Sequence, residues 1–179
     1  MEPRRKRPRI LIAGLGNVLL RDDGVGVHAI REIQKAPPPG TRVVEVGTAV
    51  LDALHLFQWA DRILAFDAMQ AGGPPGSLYS LPILGVGDRT PQASLHELDL
   101  LAALRFLPEP KRPEIMILGV EPKIIDFGLD LTAEVQAALQ ELIRVAREIL
   151  TQWGLAFPTH EKRPDLFLED SPEKAGLLL

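Results

Sequence analysis

The chain of 179 residues carries a net charge of -4 and is 46% hydrophobic, which suits one globular domain with a substantial core. It lacks the basic excess that a nucleic-acid surface needs, and no apolar run approaches the roughly 18 residues that cross a membrane. The absence of cysteine excludes a thiol nucleophile, a disulfide and a cysteine-bound zinc ion. We therefore predict a cytoplasmic protein that binds neither nucleic acid nor membrane.

The two ends of the chain differ in composition from the middle. Residues 1–8 form a basic N-terminal extension, in which a run of basic side chains ends at Arg7. Residues 158–179 are rich in proline and charge and have no apolar period, which is typical of a loosely packed or disordered tail. Residues 9–157 between them are predicted to form a single α/β domain.

The first half of the chain alternates predicted strands and helices. Apolar or valine-rich runs predict strands at residues 10–13, 42–46 and 62–66. The stretches between them predict helices at residues 24–35 and 49–60, the first with a clear apolar stripe and the second without one. Strands that alternate with helices favour a parallel sheet covered by helices on both faces.

The second half adds an edge strand to this sheet. A strand at residues 77–81 follows the third strand without an intervening helix, so it is predicted to be antiparallel. A helix at residues 95–107, capped by Ser94, and a strand at residues 114–120 come next. The predicted fold is a three-layer α/β/α domain with a five-strand, mostly parallel, twisted sheet and one antiparallel edge strand.

The longest predicted helix covers residues 131–153, with Thr132 at the N-cap and Glu134 in the first turn. Its apolar side chains recur with a helical period and predict the face that packs on the sheet: Val135, Leu139, Leu142, Ile143, Ala146 and Leu150. This regular stripe indicates a helix that lies along the core.

Polar residues follow the predicted parallel strands. Asp22 and Asp23 come after the first strand, Asp67 comes after the third, and His96 begins a helix after a long loop. Ligands of open parallel sheets gather beyond the carboxyl ends of the strands. Two carboxylates and an imidazole from separate loops suit a divalent transition metal with open coordination positions. The alternative is that these residues share no site, and that each is only a helix-terminal charge, a turn residue or a surface residue.

Two other kinds of site fit the sequence less well. Gly14 and Gly16 begin a dinucleotide fingerprint, but Leu19 stands where its third glycine belongs, and the adjacent Asp22 and Asp23 would repel a pyrophosphate. No serine lies in the Gly-x-Ser-x-Gly elbow of serine hydrolases. We therefore predict no nucleotide cofactor and no serine nucleophile.

Several short motifs occur together in a characteristic order. They are the segment 14–26, Gly47-Thr48, Asp67-Ala68, His96 and the segment 119–122 with the sequence Gly-Val-Glu-Pro. In this order the chain resembles the maturation endopeptidases of nickel-iron hydrogenases. The resemblance covers about residues 9–153.

The resemblance implies an activity and a set of site residues. Enzymes of this family, which are aspartyl-type or metal-dependent endopeptidases, remove a short C-terminal extension from the hydrogenase large-subunit precursor after nickel insertion. The family's metal-binding and catalytic trio falls on Asp23, Asp67 and His96. The metal is then the nickel that the substrate carries. The general base stays open, with Asp22 as one candidate.

The resemblance also suggests a substrate-binding set and leaves other functions open. Asn17, Gly47 and Thr48 are predicted to shape the cleft and hold the substrate backbone. One alternative is a non-catalytic, nickel-dependent binding module or chaperone on the same fold. Another is a nucleotide-binding regulatory domain, which the acidic pair disfavours.

Overall fold

The computed structural model describes residues 7–83 and 95–155, and the side chains of residues 95–99 lie outside that description. These residues contain a five-stranded sheet. Its strands are β1 (Ile10–Leu15), β2 (Thr41–Gly47), β3 (Arg62–Ala68), β4 (Leu78–Ile83) and β5 (Glu114–Val120). The strand order is β2-β1-β3-β5-β4, with parallel pairs throughout except for the antiparallel pair of β4 and β5. This confirms the predicted mixed sheet and its antiparallel edge.

Helices cover both faces of the sheet. They are α1 (Val25–Gln34), α2 (Leu54–Trp59), α3 (Leu95–Arg105) and α4 (Ala133–Gln152). Side chains of α2 and α3 join one apolar cluster, and side chains of α1 and α4 join the other. The three-layer α/β/α prediction is therefore confirmed. In the described part of the chain, no helix has both the length and the apolar character needed to cross a membrane.

The central strands are apolar because both of their faces are buried. All residues of β1 are buried, and its alternate side chains enter opposite clusters. Leu11 and Ala13 pack on one side of the sheet, while Ile10 and Ile12 pack on the other. A strand between two layers of helices can therefore be continuously hydrophobic.

Helix α1 lies unusually close to the strands beneath it. A Cβ atom on Gly26 would stand 2.3 Å from the Phe66 carbonyl oxygen and 2.4 Å from that of Leu15. A Cβ atom on Gly14 would stand 2.4 Å from the carbonyl oxygen of Gly26. Gly14 in β1 therefore allows α1 to pack closely against this strand. The contact fixes where the residues just before α1 lie relative to the ends of β1 and β3.

All four helices are shorter than predicted, and two of them begin late for a structural reason. The predicted helix at residues 49–60 begins only at Leu54, because the preceding residues form successive turns in which an amide bonds the carbonyl three residues back. Helix α1 begins at Val25, after a separate 3-10 turn, Arg21–Gly24, that contains both aspartates. The predicted Ser94 cap and the predicted tail at residues 158–179 lie outside the described residues.

Candidate active site

The turn after β1 holds Asp23 at the carboxyl edge of the sheet. Gly16 has φ +107°, a backbone conformation that favours glycine, and its amide donates to the Gly47 carbonyl at 3.2 Å. The Asn17 amide donates to Oδ2 of Asp23 at 2.8 Å, and Oδ1 of Asn17 accepts from the Leu19 amide at 3.0 Å. Asp23 is only 9% exposed. The turn therefore fixes Asp23 through its own backbone.

Asp67 lies at the same edge, near the end of the central strand β3. Its side chain is buried, and Oδ1 accepts from the Ala68 amide at 2.9 Å. The last pair between β1 and β3 joins Gly14 to Phe66, and Asp67 is the next residue of β3. The 3-10 turn that carries Asp23 contacts β3. The structure thus brings the two carboxylates of the predicted trio to one edge.

The other predicted site residues occupy neighbouring positions. Gly47 ends β2 and pairs with Leu15, so it lies at the same edge of the sheet. Thr48 lines an open cleft of about 260 Å³ that extends towards Ala102 of α3. His96 lies in the first turn of α3, but its side chain is outside the described part. Its meeting with Asp23 and Asp67 stays a prediction.

A metal site complete within the described residues is absent. No group of three or more His, Asp or Glu side chains there is arranged to hold a metal ion. The predicted trio includes His96, whose side chain lies outside the described residues, so the trio stays a prediction.

Asp22 has a different role from its neighbour. It is fully buried and accepts hydrogen bonds from the amides of Lys123 at 2.9 Å, Ile124 at 3.0 Å and Thr132 at 2.7 Å. The Thr132 hydroxyl donates a fourth hydrogen bond to Asp22 at 2.8 Å. Thr132 is the N-cap residue of α4, but its side chain does not cap the helix. Burial acts to raise the pKa of Asp22, but these donors outweigh it and hold the pKa below its ordinary value. The four donors around the Asp22 carboxylate favour a structural role over that of a general base.

Glu121 is a buried carboxylate for which no individual role is predicted from the sequence. It follows β5 and accepts from the amides of Ala71 at 2.8 Å and Gly73 at 3.2 Å, and from the Tyr79 hydroxyl at 2.9 Å. Burial acts to raise its pKa, but the donors outweigh that effect and lower it. Glu121 thereby holds the loop after β3 at the sheet edge. The sequence signal for this role is the position of Glu121 directly after a buried strand.

The depressed pKa of Glu121 predicts a pH-dependent contribution to stability. A carboxyl whose pKa is lower in the folded state stabilises the fold above its unfolded pKa, about 4.3, and loses that effect as pH falls through the folded pKa. We expect Glu121→Gln to lower the free energy of unfolding by about 1–3 kcal/mol near neutral pH. The difference from wild type should shrink below about pH 4.

Urea unfolding at about pH 7 and about pH 3.5 measures this difference. Glu114→Gln is the matched control, because Glu114 begins the same strand and its side chain is 71% exposed. A Glu121→Gln effect of equal size at both pH values would contradict the assignment.

Comparison with known proteins identifies what the chain is similar to. A family model described as hydrogenase maturation protease matches residues 27–149. The hydrogenase expression/formation protein HoxM of Azotobacter vinelandii is 34% identical over 160 residues, which cover 83% of this chain and 75% of HoxM. The solved hydrogenase maturating endopeptidase HybD of Escherichia coli superposes with a TM-score of 0.72 at 25% identity, over 82% of this chain and 94% of HybD. The [NiFe] hydrogenase maturation protease HybD of Thermococcus kodakarensis gives 0.68 at 30% identity, over 79% and 98%.

Proposed function

Because the chain belongs to the hydrogenase maturation protease family, we propose that it removes the C-terminal extension of a nickel-loaded hydrogenase large-subunit precursor. The observation that best supports this proposal is the placement of two buried carboxylates, Asp23 and Asp67, at one edge of the sheet. Buried carboxylates on separate elements are suited to a cation. The sheet edge is also where ligands of such folds bind.

In this proposal the nickel ion is part of the substrate. Asp23, Asp67 and His96 complete its coordination, since carboxylate and imidazole are both donors that first-row transition metals accept. A divalent metal of this kind polarises a carbonyl group or activates water for hydrolysis. Cleavage then depends on nickel insertion, because only the loaded precursor presents the ion to these residues. The trio therefore contributes to specificity as well as to catalysis.

The chain's own contribution is rigid placement of its donors. Asp67 lies on the central strand β3, and the backbone of Asn17 holds Asp23. Groups that are fixed before the substrate arrives need little reorganisation during the reaction. Gly47 and Thr48 are proposed to guide the substrate backbone into the open cleft between the turn after β2 and α3, which Thr48 lines.

The test is the intact mass of a purified large-subunit precursor that is incubated with the protein. We expect the nickel-loaded precursor to lose the mass of its C-terminal extension and the nickel-free precursor to keep it. Heat-denatured protein is the control for contaminating peptidases. Formation of a stable complex with the loaded precursor, without any loss of mass, would favour the binding-module alternative and refute the proposed activity.

A further inference from the structure

A cluster of large apolar side chains is exposed beside the candidate active site. It consists of Leu19 in the turn after β1 and of Ile124, Ile125, Phe127 and Leu129 in the segment between β5 and α4, and we call it the apolar shelf. Phe127 is 81% exposed and Leu129 is 65% exposed. We propose that the apolar shelf binds an apolar surface of the hydrogenase large-subunit precursor while its C-terminal segment occupies the active site. This inference rests on the proposed function.

The two parts of the apolar shelf are joined by backbone hydrogen bonds. The Gly128 amide donates to the Leu19 carbonyl at 3.0 Å, and the Arg21 amide donates to the Gly128 carbonyl at 2.9 Å. Leu20 and Gly128 form a parallel bridge between the segments. Phe127 and Leu129 flank this bridge, so the turn after β1 sets their position.

A buried carboxylate, that of Asp22, holds both ends of the segment between β5 and α4. The Asp22 carboxylate accepts from the amides of Lys123 and Ile124 at one end of the segment and from Thr132 at the other. Exposed apolar side chains on a loop gain by folding inward, yet this segment is tied in a conformation that keeps them in water. An ordered, exposed apolar surface is characteristic of a binding site.

The apolar shelf is continuous with the candidate active site. Asp22, which anchors the shelf, is adjacent in the chain to Asp23, and Leu19 accompanies Asn17 in the same turn. A protein that is seated on the shelf therefore lies beside the predicted metal-binding trio. Charged residues of both signs border the shelf, among them Lys123 and Asp126, as expected for the polar rim of an interface.

The size of the apolar shelf favours a transient partner over a second copy of this chain. Side chains of these sizes at their exposed fractions offer on the order of 500 Å² of apolar surface. An obligate homodimer commonly buries about 2,000 Å² or more in total, and a standard interface uses about 800 Å² from each partner. A substrate protein that also enters the active-site cleft supplies the remaining contact. We therefore assign the shelf to the precursor.

Binding on the shelf has a defined kinetic signature. The shelf touches the precursor away from the scissile bond, so its contacts are equally strong before and during the reaction. Uniform binding of this kind lowers KM and leaves kcat unchanged. A shelf variant should therefore raise KM for the precursor.

The experiment compares Phe127→Ser with the matched control Phe127→Leu, which keeps an apolar side chain. We expect Phe127→Ser to raise KM for the nickel-loaded precursor about tenfold, as for an aromatic residue at an interface centre, and to keep kcat within about twofold. Phe127→Leu should restore most of the affinity. Because Phe127 is largely exposed, the melting temperature should stay within about 2 °C of wild type.

The outcomes separate this inference from the proposed function. A wild-type protein that leaves the precursor intact refutes the proposed function. A wild-type protein that cleaves, together with Phe127→Ser that has an unchanged KM or a loss confined to kcat, refutes the shelf alone. Leu129→Ser repeats the test at a second position if Phe127→Ser melts at a lower temperature.

Discussion

Asp67→Asn is expected to lower kcat/KM for the nickel-loaded precursor by about 10²- to 10³-fold. The substitution removes one negative charge from the proposed nickel-binding trio and keeps the volume of the side chain. Its amide oxygen can still accept from the Ala68 amide, as Oδ1 of Asp67 does at 2.9 Å. We therefore expect the fold to survive while cleavage fails. Intact-mass kinetics and a thermal melt of the same sample measure both quantities.

The control for this prediction lies at the other end of the same strand. Asp61 directly precedes β3 and forms an exposed ion pair with Arg9 at 2.8 Å. Exposed pairs contribute little to stability, and Asp61 is far along the strand from the carboxyl edge. Asp61→Asn should therefore cleave the precursor at the wild-type rate. Full activity of Asp67→Asn would show that the proposed trio is wrong.

Gly26→Ala is expected to destabilise the protein by about 2–4 kcal/mol, although alanine is the better helix former. The added methyl group would meet the carbonyl oxygens of Phe66 and Leu15 at 2.3 and 2.4 Å, and both belong to backbone that the sheet holds in place. Helix α1 must then move away from the sheet. The melting temperature should fall by roughly 5–15 °C, since each kcal/mol is worth about 2–4 °C in a chain of this length.

Gly40→Ala is the matched control for steric crowding. A Cβ atom on Gly40 has no neighbour within 4 Å, so alanine there meets only the strain of a positive φ, +78°. That strain costs about 1–2 kcal/mol. Gly26→Ala should therefore melt at a lower temperature than Gly40→Ala. A lower melting temperature for Gly40→Ala than for Gly26→Ala would contradict the close packing of α1 on the strands.

The sequence predicts those parts of the fold whose signals are local. The strand at residues 114–120 has the predicted bounds, because a continuous apolar run between polar flanks is unambiguous. The predicted stripe on the longest helix matches the buried residues of α4, because the 3.6-residue period of a helix selects one face. The helix at residues 49–60 is wrong at its start, where no comparable stripe existed. Family membership also follows from the motifs and is confirmed by the family model.

The roles of individual carboxylates depend on contacts that the sequence does not reveal. Asp22 and Asp23 are identical neighbours, yet Asp22 binds Thr132, which is 110 residues further along the chain. Local sequence patterns therefore predict that both lie at the start of a helix. Glu121 likewise binds amides some 50 residues earlier in the chain. Such partners become visible only when the sheet brings distant loops to one edge.

We propose that Asp23, Asp67 and His96 coordinate the nickel ion of the substrate. The most direct test is X-ray absorption at the nickel edge, recorded for the loaded precursor alone and for a rapidly frozen mixture with the protein. We predict additional oxygen and nitrogen ligands on nickel in the mixture with wild-type protein and fewer in the mixture with Asp67→Ala. Nickel coordination that stays unchanged while wild-type protein cleaves the precursor would contradict the claim.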